Sequence, residues 1–190
     1  TGYSFIGWSG EGTADPNAPS TTVDMSQART LSASFSLNSY DLTVLAGSGG
    51  SVTGSGSFSH GSNPSISATP DTGYSFIGWN GEGTADPNAS STTVDMSEAR
   101  TLSASFSLNS YDLTVLAGSG GSVTGSGSFS HGSNPSISAT SDTGYSFNGW
   151  SGEGTADPNA SSTTVDMSQA RILSASFSLN SYDLTVLAGS

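Results

Sequence analysis

Apolar and polar residues alternate with a period of two in a set of six short segments that recurs along this chain. In the middle of the chain the segments are residues 40–45, 51–53, 65–69, 74–79, 92–96 and 102–108. A period of two places alternate side chains on one face of an extended strand, so each segment predicts a β-strand with one buried face. No window has a helical period of useful length. The pattern therefore predicts an all-β fold.

The whole pattern is itself repeated. The segment that begins at Thr1 begins again at Thr72 and at Thr143, with the same spacing both times and few substitutions. Near-identical copies at a fixed spacing indicate tandem repeats. We predict the C-terminal part of a repeat at residues 1–39, complete repeats at 40–110 and 111–181, and the first strand of a further repeat at 182–190. Each complete repeat should form one small β-domain, so that the chain is a tandem array.

The segment at residues 72–79 is the densest aromatic run of the repeat, and the other strands are expected to close over it. Tyr74 and Phe76 share one face of an extended strand, and Gly78 allows a bulge before Trp79. Asn148 replaces Ile77 in the next copy, which places that side chain at the surface. The predicted structural core of the two complete repeats contains Tyr74, Phe76, Trp79, Phe106, Tyr145, Phe147, Trp150 and Phe177.

Neighbouring repeats are joined by very short linkers. Only Asn109 and Ser110 separate the last predicted strand of one repeat from Tyr111 of the next, and neither residue is Gly or Pro. Such a linker permits little independent motion, so the array is expected to form a stiff, elongated rod.

The two ends of the chain hold incomplete repeats. Residues 1–37 lack the first three strands, which leaves Tyr3, Phe5 and Trp8 without cover. Residues 182–190 are expected to form a lone first strand. The missing strands would come from flanking repeats of the same polypeptide or from identical chains in a fibre.

Composition excludes several classes of partner. The net charge is −12 and the pI is near 4.1, which disfavours binding to nucleic acid or to an anionic membrane. No apolar run is long enough for a membrane helix, so membrane insertion is not expected. The chain contains no cysteine and no lysine, which leaves neither disulfides nor lysine isopeptide bonds to stabilise it. The fold must therefore be stabilised by packing, and by bound ions if there are any.

The order of motifs resembles a known family. Tyr-Asp-Leu-Thr-Val, Gly-Gly-Ser-Val-Thr-Gly-Ser-Gly and Gly73-Tyr74-x-Phe76-x-Gly78-Trp79, with Ser103-Ala104-x-Phe106 downstream, are similar to the divergent internalin-type B-repeat of bacterial surface proteins. The resemblance covers nearly the whole chain. It implies an extracellular or cell-surface all-β module with a compact grasp-like sheet, used in tandem as a spacer or adhesive stalk. It brings no catalytic residues and no cofactor. Asn148 departs from the apolar residue usual at its position.

One loop carries candidate metal ligands. Glu82, Asp86 and Asn88 lie in a Gly-containing loop, and Asp95 follows closely, so their oxygens are candidates for a calcium site. The spacing of a dedicated calcium loop is absent, and a solvated acidic turn, with Asp86 capping the following backbone, is the favoured interpretation. Nothing positions Glu82 and Asp86 as the acid and base of a glycosidase.

Three other side chains have a functional and a structural interpretation. Exposed, Trp79 would stack on a sugar ring with Asn80 as hydrogen-bond partner; buried, it is the anchor of a small core, which we favour. Arg100 is expected to pair with Asp95 or Glu98, and His60 to be a surface turn residue.

Two functions from different classes follow. The first is a structural spacer or stalk without catalytic activity. The alternative is an array of weak carbohydrate sites that gains avidity by repetition, with glycans as partners. Exposure of the tryptophan distinguishes them.

Overall fold

A computed structural model describes residues 2–187, which form two compact units that meet between Ser107 and Leu108 in the sequence. The described residues contain no helix, hence none long and apolar enough to cross a membrane, and the predicted all-β tandem array is confirmed. The strands are β1 (Tyr3–Ser9), β2 (Ser32–Leu37), β3 (Ser39–Ala46), β4 (Gly50–Thr53), β5 (Gly56–Ser59), β6 (Ser65–Pro70), β7 (Tyr74–Asn80), β8 (Ser91–Thr93), β9 (Arg100–Leu108), β10 (Ser110–Ala117), β11 (Gly121–Thr124), β12 (Gly127–Ser130), β13 (Ser136–Ser141), β14 (Tyr145–Ser151), β15 (Ser162–Thr164) and β16 (Arg171–Leu179).

Each complete repeat folds into two sheets. In the first complete repeat, one sheet has four strands in the order β5, β3, β9, β7. The other is a three-stranded antiparallel sheet of β4, β6 and β8. The first and last strands of the repeat, β3 and β9, pair in parallel, with Leu42 opposite Arg100 and Ala46 opposite Ala104. Strands β10 to β16 repeat this topology and register in the second complete repeat.

The core of each repeat is built from the inward faces of both sheets. The four-stranded sheet supplies Leu42, Val44, Trp79, Leu102 and Ala104, and the three-stranded sheet supplies Ile66 and Ala68. Val94 and Met96, just after β8, are fully buried between them. Phe76 and Phe106 pack half-buried against this cluster, as Phe147 and Phe177 do in the second repeat.

A β-bulge lets two aromatic residues three positions apart face the same core. In β14 the register against β16 shifts between Phe147 and Gly149, so that Asn148 is the extra residue, and the same shift occurs in β1. Without the bulge, a period of two would turn Trp150 away from Phe147. Ile77 is exposed, and the Asn148 side chain accepts a hydrogen bond from the Ser178 hydroxyl at 2.9 Å.

Tyr74 is held outside the buried cluster, over the turn between β3 and β4. A Cβ atom added to Gly49 would collide with the Tyr74 ring, and one added to Gly50 would collide with the Phe106 ring. Tyr145 covers Gly120 in the same way. The glycines of this turn are therefore required by the aromatic rings that lie on them, and Tyr74 and Tyr145 are half-buried.

The incomplete repeats at the two ends lack this cover. Residues 2–39 contain a hairpin of β1 and β2, in which Tyr3 is 61% exposed and Met25 is 69% exposed, whereas Met96 at the equivalent position is 0% exposed. Phe5 and Trp8 are half-buried. At the other end, residues 182–187 form no strand, so the predicted first strand is wrong for them, and residues 188–190 lie outside the described range.

Two further predictions need correction. Strand β5, which pairs with β3, is not among the predicted strands, because its sequence of glycine, serine and one Phe lacks an alternating apolar pattern. His60 is half-buried rather than a surface residue, and its ring packs edge-on against Tyr40 with centroids 5.9 Å apart.

Candidate functional site

The tryptophan that the carbohydrate hypothesis requires at the surface lies in the core. Trp79 is 5% exposed, and its ring packs against Phe76 with centroids 5.6 Å apart. Its indole Nε1–H donates to the carbonyl of Ala89 at 3.0 Å, and its backbone N–H donates to the carbonyl of Pro87 at 2.8 Å. The side chain therefore anchors the loop after β7 onto the core, as Trp150 does through Ala160.

This burial overturns the glycan contact considered for Trp79. A sugar ring stacks on an aromatic face that is open to solvent, and neither face of a 5%-exposed indole is open. Asn80, the proposed hydrogen-bond partner of the sugar, donates its Nδ2–H to the Ser105 hydroxyl at 2.8 Å. In this repeat, both residues are thus used in contacts within the repeat.

The four candidate calcium ligands do not converge. Asp86 Oδ1 accepts the backbone N–H of Asn88 at 2.9 Å, which is the capped turn expected from the sequence. Asp95 Oδ2 accepts the Ser97 hydroxyl at 2.8 Å. Among the described residues, no group of three or more acidic, histidine or cysteine side chains is placed to hold a metal ion. Glu82, Asp86, Asn88 and Asp95 therefore do not form a shared coordination site in this fold.

The positive charge beside the loop after β7 is supplied by Arg100. The Arg100 side chain is only 12% exposed, and its Nε–H donates to the backbone carbonyl of Asp95 at 2.9 Å. The guanidinium also lies 3.1 Å from Glu98 and 3.7 Å from the Asp95 carboxylate. A Cβ atom on Gly83 would lie 2.5 Å from Arg100 Nε, so the guanidinium lies against that glycine. Five fixed donors make such a planar group well suited to clamp a loop.

The arginine changes one ion-pair partner between repeats, in step with a substitution. Where residue 98 is Glu, Arg100 pairs with it; where the equivalent residue is Gln27 or Gln169, the arginine lies nearest a different glutamate. Arg29 is 4.0 Å from Glu11, and Arg171 is 3.7 Å from Glu153. The charge of the clamp is thus balanced locally in each copy.

The pKa of the carboxylate beside the arginine is lowered in the second complete repeat. The Ser168 hydroxyl donates to Asp166 at 2.8 Å and, together with the positive charge of Arg171, holds the pKa of that carboxyl below its usual range. A hydrogen bond and a neighbouring positive charge both favour the ionised carboxylate, in keeping with the contacts of Asp166 to Ser168 and Arg171.

One shallow depression lies beside the equivalent arginine of the incomplete repeat. It measures about 200 Å³, is widely open to solvent, and is lined by Glu11, Gln27, Ala28, Arg29 and Thr30. Small-molecule sites usually enclose about 300–1,000 Å³ with largely apolar walls. This depression lacks both properties.

Comparison with known proteins identifies the repeat. The model of the divergent InlB B-repeat domain matches residues 1–39, 40–110 and 111–181. No curated protein and no solved structure matches the chain significantly. Since the three matches cover nearly all of the 190 residues, the chain belongs to the divergent InlB B-repeat domain family, a family of repeats of bacterial surface proteins.

Proposed function

We propose that this array is a structural spacer in a bacterial extracellular or cell-surface protein, such as an adhesin stalk or fibre, and that it has no catalytic activity. Its partners are flanking repeats of the same polypeptide, or identical chains in a fibre. Each repeat would add a fixed length between the domains on its two sides.

The observation that carries this proposal is how the repeats use their chemically distinctive side chains. In both complete repeats the tryptophan anchors a loop to the core, and the one arginine clamps the same loop. Asp86 and Asp157 cap turns in this loop, and Asp95 and Asp166 pair with the arginine. These residues therefore stabilise the fold, and what recurs along the chain is a folded unit.

A distance measurement tests the spacer. Chains with one, two and three further copies of residues 40–110 inserted after Ser110 would carry donor and acceptor dyes at both ends. A spacer predicts an end-to-end distance that increases by a constant amount per added repeat. A distance that stops increasing, or falls, would refute the proposal.

The carbohydrate alternative has its own test. In a Trp8→Phe variant, which removes the half-buried tryptophan of the incomplete repeat, emission from Trp79 and Trp150 should be blue-shifted and resist quenching by acrylamide, and a panel of glycans should not change it. Saturable quenching by one glycan that is abolished in a variant of its contact residues would favour a binding array.

A further inference from the structure

One linker residue in the first unit is bonded to both of the repeats that it connects. Asn38 is the residue between β2, which ends one repeat, and β3, which begins the next. Its N–H donates to the carbonyl of Gly2 at 2.8 Å, and its side-chain Oδ1 accepts the Ser4 hydroxyl at 2.6 Å. Its carbonyl accepts the N–H of His60 at 2.8 Å. Asn38 thus joins β1 of the preceding repeat to the turn after β5 of the following one.

The imidazole of His60 packs into this connection. Gly2 is buried, and a Cβ atom added to it would collide with His60 Cδ2 and lie 2.6 Å from Nε2. Tyr40 contacts the His60 ring edge-on. The ring therefore fills the space between Tyr40 of its own repeat and Gly2 of the preceding one, and only glycine leaves room for it.

The second unit contains each half of the same arrangement. At its start, His131 N–H donates to the carbonyl of Asn109 at 2.8 Å, and the His131 ring lies 6.0 Å from that of Tyr111. These two contacts reproduce the half that His60 and Tyr40 form.

Near the end of the unit, Asn180 N–H donates to Gly144 at 2.7 Å and Ser146 donates to Asn180 at 2.6 Å. These contacts reproduce the half that Gly2, Ser4 and Asn38 form. Within residues 2–187, however, a Cβ atom on Gly144 would meet only Leu179 Cδ1, at 4.0 Å. The glycine surface is therefore preformed without a histidine on it.

We propose that this arrangement is an inter-repeat joint, and that the surface of Gly144, Ser146 and Asn180 is a docking surface for the Ser-His-Gly turn of a following copy of the repeat. The occupant is identified within the chain, because at the equivalent positions Gly2 and Asn38 contact His60 of that turn, and Ser4 bonds to the Asn38 side chain. Ser181 and Tyr182 follow Asn180 as Ser39 and Tyr40 follow Asn38, so the linker has the same length. The joint is independent of the spacer proposal, since an array of binding sites would use it equally.

Hydrogen exchange with mass spectrometry tests the joint in the full chain. His60→Ala removes the ring that covers Gly2, and we expect amide exchange in residues 2–9 and 27–37 to accelerate at least about tenfold. Residues 2–9 are distinguished from the other copies by Ile6 and Ser9 together, and residues 27–37 by Gln27 and Thr30 together. His131→Ala is the matched control, which should leave residues 2–37 unchanged. Unchanged exchange in His60→Ala would overturn the joint.

Two glycine variants test the same contact if His60→Ala simply unfolds its repeat. Gly2 and Gly144 both have positive φ angles, 78° and 85°, so alanine strains the backbone equally at either position. Only at Gly2 does the new methyl group also collide with an imidazole. Gly2→Ala should therefore accelerate exchange in its hairpin several-fold more than Gly144→Ala does in residues 144–151. Equal effects would refute the contact.

The docking surface is tested by supplying its occupant. Extending the chain after Ser190 with a copy of residues 49–109 continues the period and adds one Ser-His-Gly turn. We expect exchange in residues 144–151 to slow at least about tenfold, and to return to the original rate when the added histidine is replaced by Ala. If the extension folds but leaves these residues unchanged, the docking proposal fails.

Discussion

Replacing Trp79 with alanine should strongly destabilise its repeat. Truncation of a large buried aromatic residue typically costs about 3–5 kcal/mol, because the cavity it leaves collapses only in part. The lost Nε1–H bond to Ala89 removes the tether of the loop and leaves a carbonyl without that donor, worth about a further 1 kcal/mol. A domain of this size has a total stability of roughly 4–10 kcal/mol. The substitution is therefore expected to remove at least about half of it.

The methionines allow each repeat to be followed separately. There is one per copy, Met25, Met96 and Met167, of which the last two are fully buried. Oxidation by peroxide across a urea series, read by mass spectrometry, reports when each buried thioether becomes accessible. With a urea dependence of about 1–1.5 kcal/mol per molar, Trp79→Ala should lower the Met96 midpoint by about 2 M or more. The exposed Met25 gives the oxidation rate of a thioether that folding does not protect.

Two variants make the result decisive. Trp150→Ala should shift the Met167 midpoint more than that of Met96, the reverse of Trp79→Ala. Trp79→Phe keeps an aromatic ring but loses the indole N–H, and should cost only about 1–3 kcal/mol. If Trp79→Ala leaves the Met96 midpoint where it was, Trp79 does not support the core and the reasoning is wrong.

Four smaller predictions concern the loop and its charges. Arg100→Lys loses the Nε–H bond to the Asp95 carbonyl and should destabilise the repeat by about 1–2 kcal/mol, with faster exchange in residues 81–95; unchanged exchange would contradict the clamp. Glu98→Gln copies the residue of the other two repeats and should change stability by less than about 0.5 kcal/mol in urea denaturation. Because the folded-state pKa of Asp166 lies below its ordinary value of 3.8, its ionised form adds stability above that pH, which is lost as the pH falls through the folded-state pKa. Asp166→Asn should therefore weaken the pH dependence of the Met167 urea midpoint in the acidic range around and below pH 3.8. Millimolar calcium should leave all melting transitions unchanged within error, and a stabilisation reversed by chelator would show that the acidic loop binds the ion after all.

Strand positions and their buried faces are largely predictable from local sequence. Leu42, Val44 and Leu102 are buried at the positions that the period of two assigns to the inner face. The bulge is also encoded locally, since Phe76 and Trp79 can face one core only if the strand between them carries an extra residue, and Gly78 marks the place.

The choice of neighbouring strands is not predictable in this way. A period of two states which face is buried but not which strand lies alongside, and β3 pairs with β9, which comes from the opposite end of the repeat. Strand β5 exists because β3 offers it an edge, and the preceding Ser55 hydroxyl, which accepts the Val44 N–H at 2.9 Å, helps to hold it there. The acidic loop shows the same limit in part: Arg100 pairs with Asp95 and Glu98 as expected, but the sequence did not reveal that its side chain would lie against Gly83.

Identical stretches of this chain show what sequence determines by itself and what only tertiary structure decides. Residues 40–45 and 182–187 have the same sequence, yet Leu42 is 2% exposed in a strand between β5 and β9, whereas Leu184 is 88% exposed and in no strand. Met25 and Met96 differ in the same way within identical Asp-Met-Ser motifs. Local sequence sets the alternation that makes one face apolar. A strand gains its free energy, however, from backbone hydrogen bonds to neighbouring strands and from a second sheet that covers that face. Distant parts of the repeat supply both, so the same residues are core in a complete repeat and solvent-exposed in an incomplete one.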